Sequence, residues 1–229
     1  MAFEGFTQQT SDFLWELSFH NERPWFLAHK EEFETVLHRP FKALAADTLA
    51  LMRQRFPERE FQCHVSRIYR DARRLFGRGP YKDHLWFTIF SGDIHENSPA
   101  FWFELSAATY SYGVGFWEAT PRQMEVYRRQ IDANPAGFER MIRPIERKKY
   151  RLSGPEYKRP KAERPEPVSR WYNRRSLSVE QEKNFGGDVL SGELPFLLAD
   201  SFGELMALYE FMDSFFRAAR EEEEKERMR

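Results

Sequence analysis

Residues 100–117 read AFWFELSAATYSYGVGFW, and this stretch decides the architecture. Phe101, Phe103 and Leu105 alternate with Trp102, Glu104 and Ser106, the period of two expected of a half-buried strand. The alternation resumes at 109–117 after Ala107 and Ala108, so the stretch predicts a strand pair with a short turn. Gly113 and Gly115 share one face of the second strand, where they admit a close backbone, a bulge or a ligand.

Two more strands precede this pair. FQCHVSRIY (61–69) alternates, with Phe61, Cys63, Val65 and Tyr69 expected on one side, and LWFTIFS (85–91) is β-branched and aromatic. Four strands in succession with short connections predict an antiparallel meander. Helical spacing flanks it. Before Phe56 there are three apolar stripes, broken at Asn21-Glu22-Arg23 and restarted at Pro40, with Thr10 or Ser11 able to cap the first. Thr120-Pro121-Arg122-Gln123 and Asn134-Pro135 open two further helices, and helical spacing returns from Ser191. Residues 153–169 hold four prolines and are expected to be extended. The expected fold is therefore α+β: an antiparallel sheet of four to six strands with N- and C-terminal helices packed on it. We expect one domain over 1–220 and a frayed, charged tail at 221–229.

At 229 residues the chain is long enough to bury a real core, and its 22 phenylalanines, 9 tyrosines and 6 tryptophans exclude a disordered linker. The formal net charge is -1, which argues against a dedicated nucleic-acid binder. Cys63 is the only cysteine, so an intrachain disulfide and a cysteine-based metal centre within one chain are excluded. Neither a secretory leader nor an apolar run of membrane-spanning length is present, and a cytoplasmic location without a membrane partner is the expectation.

The main departure from charge balance is RIYRDARRLFGRGPYK, residues 67–82. Five arginines and Lys82 crowd there against one acid, Asp71. A guanidinium on a partly apolar face needs a carboxylate or phosphate, which its planar fork takes two-handed. Strand alternation sets Arg67 with Val65 and Tyr69, and Arg70 with Ile68 and His64. Two readings stay open. Arg67 and Arg70 pair internally, with Asp71, Glu104 or loop carbonyls, or they wait for an anion. Arg73, Tyr81 and Lys82 complete the candidate set; a desolvated Lys82 near arginines would have a lowered pKa. A second basic surplus spans 140–175, where Lys158 is the candidate if the proline-rich segment folds back over the sheet. Its plain alternative is a solvated basic face answering the acidic run at 221–226. Trp102, Glu104, Tyr110 and Tyr112 either floor a pocket or belong to the core. Histidine spacing matches no metal signature, although Asp93-Ile94-His95-Glu96 has ligand-type side chains, and no cofactor fingerprint occurs; neither metal nor cofactor is expected.

Several stretches taken together resemble a bacterial family carrying the label domain of unknown function 2461. The resemblance rests on Phe3-Glu4-Gly5-Phe6, on Asn21-Glu22-Arg23-Pro24-Trp25-Phe26, and on Arg67, Arg70 and Asp71 followed by Pro80-Tyr81-Lys82. Tyr157-Lys158-Arg159-Pro160-Lys161 and Trp171-Tyr172-Asn173-Arg174 are similar to its later segment. Residues 72–77 depart from the family's usual Arg-Phe-Ser-Lys-type stretch. The resemblance implies no established activity. Function thus reduces to a small anionic ligand bound through an arginine-rich cleft, by a binding protein or an enzyme. The alternatives are a nucleic-acid-associated protein and an interaction module whose arginines are purely structural.

Overall fold

The computed structural model describes residues 2–71, 73, 75, 77–92, 98–148 and 150–228; the Asp93-Ile94-His95-Glu96 loop lies outside the described residues. Six strands form one antiparallel sheet in the order β1-β2-β3-β4-β6-β5: β1 Phe61–Val65, β2 His84–Ser91, β3 Ala100–Ser106, β4 Thr109–Phe116, β5 Arg151–Ser153 and β6 Leu177–Asn184. The expected α+β class and its central strand pair are present. The two additional strands come from the start of the proline-rich region and the segment after it.

Contacts divide the chain into two compact units, residues 1–91, 102–112 and 182–201, and residues 92–101, 113–181 and 202–229. In the first, helix α1 Gln8–Phe19 is capped by Thr7, whose main-chain N–H donates to the Thr10 hydroxyl. Thr7 therefore takes the capping place expected of Thr10 or Ser11. Short helices α2 Arg23–Ala28 and α3 Lys30–Glu32 follow, and a wide π-helical turn, Phe33–His38, runs into α4 Arg39–Arg55. The turn has a local cause. Pro40 lacks an N–H and its ring crowds the carbonyl four residues earlier, that of Val36. The Val36 carbonyl accepts instead from the Thr10 hydroxyl at 2.7 Å. Phe41 of α4 carries the packing onto the sheet, edge-on to Phe87 of β2 at 5.8 Å and 5.9 Å from Phe103 of β3.

In the second unit, Thr120 and Gln123 close a reciprocal capping box at the start of α5 Pro121–Ala133. Helix α6 Pro135–Arg147 and short α7 Val168–Tyr172 pack beside it. After α8 Leu194–Glu204, the long α9 Met206–Arg227 sets Tyr209 on Phe101 at 4.8 Å and Phe215 and Phe216 against Phe116. The acidic run belongs to α9, and Glu222 pairs with Arg122 and Arg129 of α5. Part of that acidity is answered by α5, and the cations at 140–175 that are ion-paired meet other carboxylates. A Cβ on Gly113 would stand 2.0 Å from the Val179 carbonyl oxygen, and one on Gly115 2.6 Å from that of Leu177. The close neighbour those glycines admit is the backbone of β6.

Candidate functional site

The first unit's sheet has two unlike faces. Leu85, Phe87 and Ile89 of β2 are buried together with Phe103 and Leu105 of β3, and Phe87 stacks on Phe103 at 5.5 Å. Period-two alternation then sends Trp86, Thr88, Trp102 and Glu104 to the opposite face, all partly exposed. His64 of β1 lies opposite Thr88 in register and joins them, its ring 5.5 Å from that of Trp86. Tyr110 and Tyr112 of β4 belong to the buried face, each 2% exposed, with Tyr110 6.1 Å from Phe103. The four-residue pocket floor is thereby split: Trp102 and Glu104 look outward, while Tyr110 and Tyr112 are core.

Beyond Val65 the expected alternation slips. Ser66 donates its main-chain N–H to the Trp86 carbonyl at 2.8 Å and accepts the Trp86 N–H on its hydroxyl at 3.0 Å. Both ends of Ser66 are spent on one residue of β2, and the chain behind it shifts phase. Ile68 is consequently buried at 4%, and Tyr69, expected to face inward, is 54% exposed. Arg67 is exposed beside it.

The loop that follows is pinned at both ends. Arg70 donates its main-chain N–H to the Pro80 carbonyl, and Lys82 donates its own to the Ile68 carbonyl, each at 2.8 Å. The Asn21 amide donates to the Tyr81 carbonyl and accepts the Tyr81 N–H, both at 2.9 Å. Gly79 makes room for this clamp, since a Cβ there would stand 2.3 Å from the Asn21 amide oxygen. The Tyr81 ring is buried and stacked on Phe26 at 4.1 Å. Two resemblance motifs, 60 residues apart, therefore meet in one contact.

Among the candidate cations the partners differ. Arg70 is mostly buried; it donates through Nε to the Tyr81 carbonyl at 2.7 Å and reaches Asp83 at 3.3 Å. Asp71 accepts from the Arg73 main chain and guanidinium at 2.8–3.0 Å. Arg67 differs: among the described residues its guanidinium has no hydrogen bond and no ion pair. Its carbonyl accepts from Lys82 Nζ at 2.7 Å, which holds that ammonium 5.6 Å from the centre of the Trp86 ring. Burial, then Arg70 and Arg67, push the Lys82 pKa below its ordinary value, with Glu104 acting weakly against them. His64 is lowered too, by burial first and then by Lys82 and Arg67. The product is a pair of like charges on an aromatic face: Lys82 beside the Trp86 ring, with Arg67 close enough to act on it and His64 packed against Trp86.

Sequence reasoning picked out Arg67, Lys82 and Glu104 but gave His64 no role in the site, and it missed Trp86, Asp83 and Asn21. The signal for His64 and Trp86 was available in strand alternation, since both fall opposite the apolar set. Lys158 stands exposed in the second unit. Two surface depressions, about 510 Å³ beside Arg53 and Arg59 and about 210 Å³ beside Gly5 and Thr35, have neither Arg67 nor Lys82 in their walls. Burial raises the Cys63 pKa to about 11, so the thiol stays protonated at neutral pH. Among the described residues no three His, Cys, Asp or Glu side chains stand close enough to share a metal ion, and no helix is long and apolar enough to cross a membrane.

The fold and this face define an α+β protein with a basic, aromatic surface on an antiparallel sheet. Residues 9–211 match the family described as conserved hypothetical protein, domain of unknown function 2461, and the chain belongs to that family. No curated protein matches the chain.

Proposed function

We propose that the protein binds a small anionic ligand, bearing a phosphate or carboxylate, on the outward face of β1–β3. The observation that carries this reading is the Arg67 guanidinium. It has no partner among the described residues, yet it stands beside a second cation, Lys82, that the main chain fixes in place. Holding like charges together costs free energy that an incoming anion recovers, and a guanidinium offers it a fork of donors. Arg70 and Arg73 serve differently, since their charges are met by Asp83 and Asp71 and they shape the loop. Glu104 limits the positive field at Lys82. Lys158 is not needed.

Thermal unfolding with inorganic phosphate, pyrophosphate, succinate or citrate, at matched ionic strength against chloride, tests the reading. An anion at about a hundred times its Kd stabilises by ~2.7 kcal/mol, which for a chain of this size raises Tm by roughly 5–10 °C. Arg67→Ala and Lys82→Met should abolish the shift. A uniform absence of shift, or a shift untouched by both substitutions, removes the proposal. Affinity for duplex DNA that falls steeply with salt would replace the small ligand with a phosphate backbone.

A further inference from the structure

We infer that the anion belongs to a mononucleotide-like molecule whose flat ring stacks on Trp102, an inference that rests on the anion reading above. The tryptophans of the chain supply the first argument. Trp15 stacks on Phe19, Trp25 lies between His20 and His29, Trp86 touches His64, and Trp171 meets Phe138. Trp117 stands 87% exposed just past the end of β4. Trp102 is unlike all of these. It sits inside a strand, on the face that carries the cations, only partly covered, and among the described residues its indole has neither a ring partner nor a hydrogen bond. An indole is costly to leave facing water, and a neighbouring aromatic partner is its usual cover.

Spacing supplies the second argument. Lys82 Nζ lies 5.6 Å from the centre of the Trp86 ring on β2, the strand next to the one that carries Trp102. One step across a sheet is ~5 Å. A ring over Trp102 and an anion at Lys82 are therefore separated by at least one strand spacing, ~5 Å. A ring bonded directly to its anion is too short for that span, whereas a ring joined to a phosphate through a sugar matches it. Thr88 and Glu104 add polar groups on the same face that could meet a sugar's hydroxyls.

Calorimetric titration with 5′-AMP, 5′-UMP, ribose 5-phosphate and adenosine separates the parts. Stacking tolerates either base, so both nucleotides should bind about fivefold to a hundredfold more tightly than ribose 5-phosphate. Trp102→Leu keeps apolar bulk without a ring and should bring the nucleotides down to the sugar phosphate, whose own affinity stays put. Trp102→Phe should restore part of the difference, which guards against reading misfolding as lost stacking. Arg67→Ala should weaken all three phosphates and leave adenosine unchanged. If ribose 5-phosphate binds as tightly as the nucleotides, or Trp102→Leu leaves their ratio intact, the ring assignment is wrong and the anion reading survives. Should no phosphate bind, the nucleotide assignment falls, and the anion reading falls with it only if succinate and citrate fail as well. A single-stranded oligonucleotide that binds far more tightly than its mononucleotide, with a steep salt dependence, would also overturn the assignment.

Discussion

Two stretches of this chain carry similar excess positive charge and put it to opposite uses. In 140–175 six of the cations meet carboxylates of their own unit. Arg143 meets Glu139, Lys148 meets Glu204, Arg151 meets Glu180, Arg164 meets Asp132, Arg170 meets Glu146 and Arg174 meets Glu156. Several of those acids do a second job: Glu146 also accepts from the Trp171 indole at 2.7 Å, and Asp132 from the Tyr172 hydroxyl at 2.8 Å. Charge there fastens an irregular, proline-rich segment that has little regular hydrogen bonding of its own. In 67–82 Arg70 is met by Asp83 and Arg73 by Asp71, while among the described residues Arg67 has no ion pair and its main chain holds Lys82. Equal charge density is thus a poor guide to a site; what distinguishes this one is a guanidinium unpaired among the described residues, beside a second cation that the main chain holds near the Trp86 ring.

The sharpest way to break the comparison is to remove an anchor of the absorbed stretch. Trp171 is 1% exposed, set edge-on to Phe138 at 6.0 Å, and its Nε1 donates to the carboxylate that Arg170 also holds. Trp171→Ala should cost about 3–5 kcal/mol, read as a lower urea midpoint with little change in slope. A loss under about 1 kcal/mol would mean the stretch is not fastened as described. The same substitution should leave anion binding by the remaining folded protein unchanged.

How much of this could be read beforehand follows from which forces are local. The pair β3–β4 was legible because alternation in FWFEL and TYSYG is set by one residue and the next. Strand β6 was not, because its apolar side holds only Leu177 and Val179, while Glu180 on the other side is buried at 9% and spent on Ser153 and Arg151 of β5, which no neighbouring residue reveals. The π-helical turn was marked by Pro40, but its acceptable cost depends on Thr10, 30 positions earlier. For the site, charge excess pointed to Arg67 and Lys82. Which cations would be neutralised was not legible, since Asp83 and the Asn21 clamp act through tertiary contact. The phase slip at Ser66 hid the exposure of Tyr69 for the same reason.

A milder test sharpens the comparison through pH. His64 is held below the ordinary histidine value of 6.5 by burial and by the charges of Lys82 and Arg67. Between that lowered value and 6.5 the unfolded chain binds more protons at this position than the folded one does. Stability therefore falls as pH drops through the window, and the penalty is complete below the folded pKa. His64→Gln should flatten the pH dependence of the urea midpoint there, relative to the parent protein. An anion bound at the cluster should oppose the penalty by favouring protonated His64, so ligand affinity should rise as pH falls through the same window. A slope identical in His64→Gln would mean that the cation cluster does not act on this imidazole.

The smallest expected effect is the most telling. Arg67 is exposed, and among the described residues nothing satisfies its guanidinium, so Arg67→Ala forfeits no charged hydrogen bond. It does remove a like charge from Lys82 and His64. The two considerations place the stability change within about 0.5 kcal/mol of zero, with the sign tilted toward stabilisation at low salt. Arg67→Lys should likewise leave stability alone while replacing the planar fork with a point charge. If Arg67→Ala instead destabilised the fold by an amount typical of a paired, part-buried arginine, about 1.5–3 kcal/mol, the cation would have an internal partner. The two basic stretches would then be alike, and the excess charge at 67–82 would be part of the scaffold.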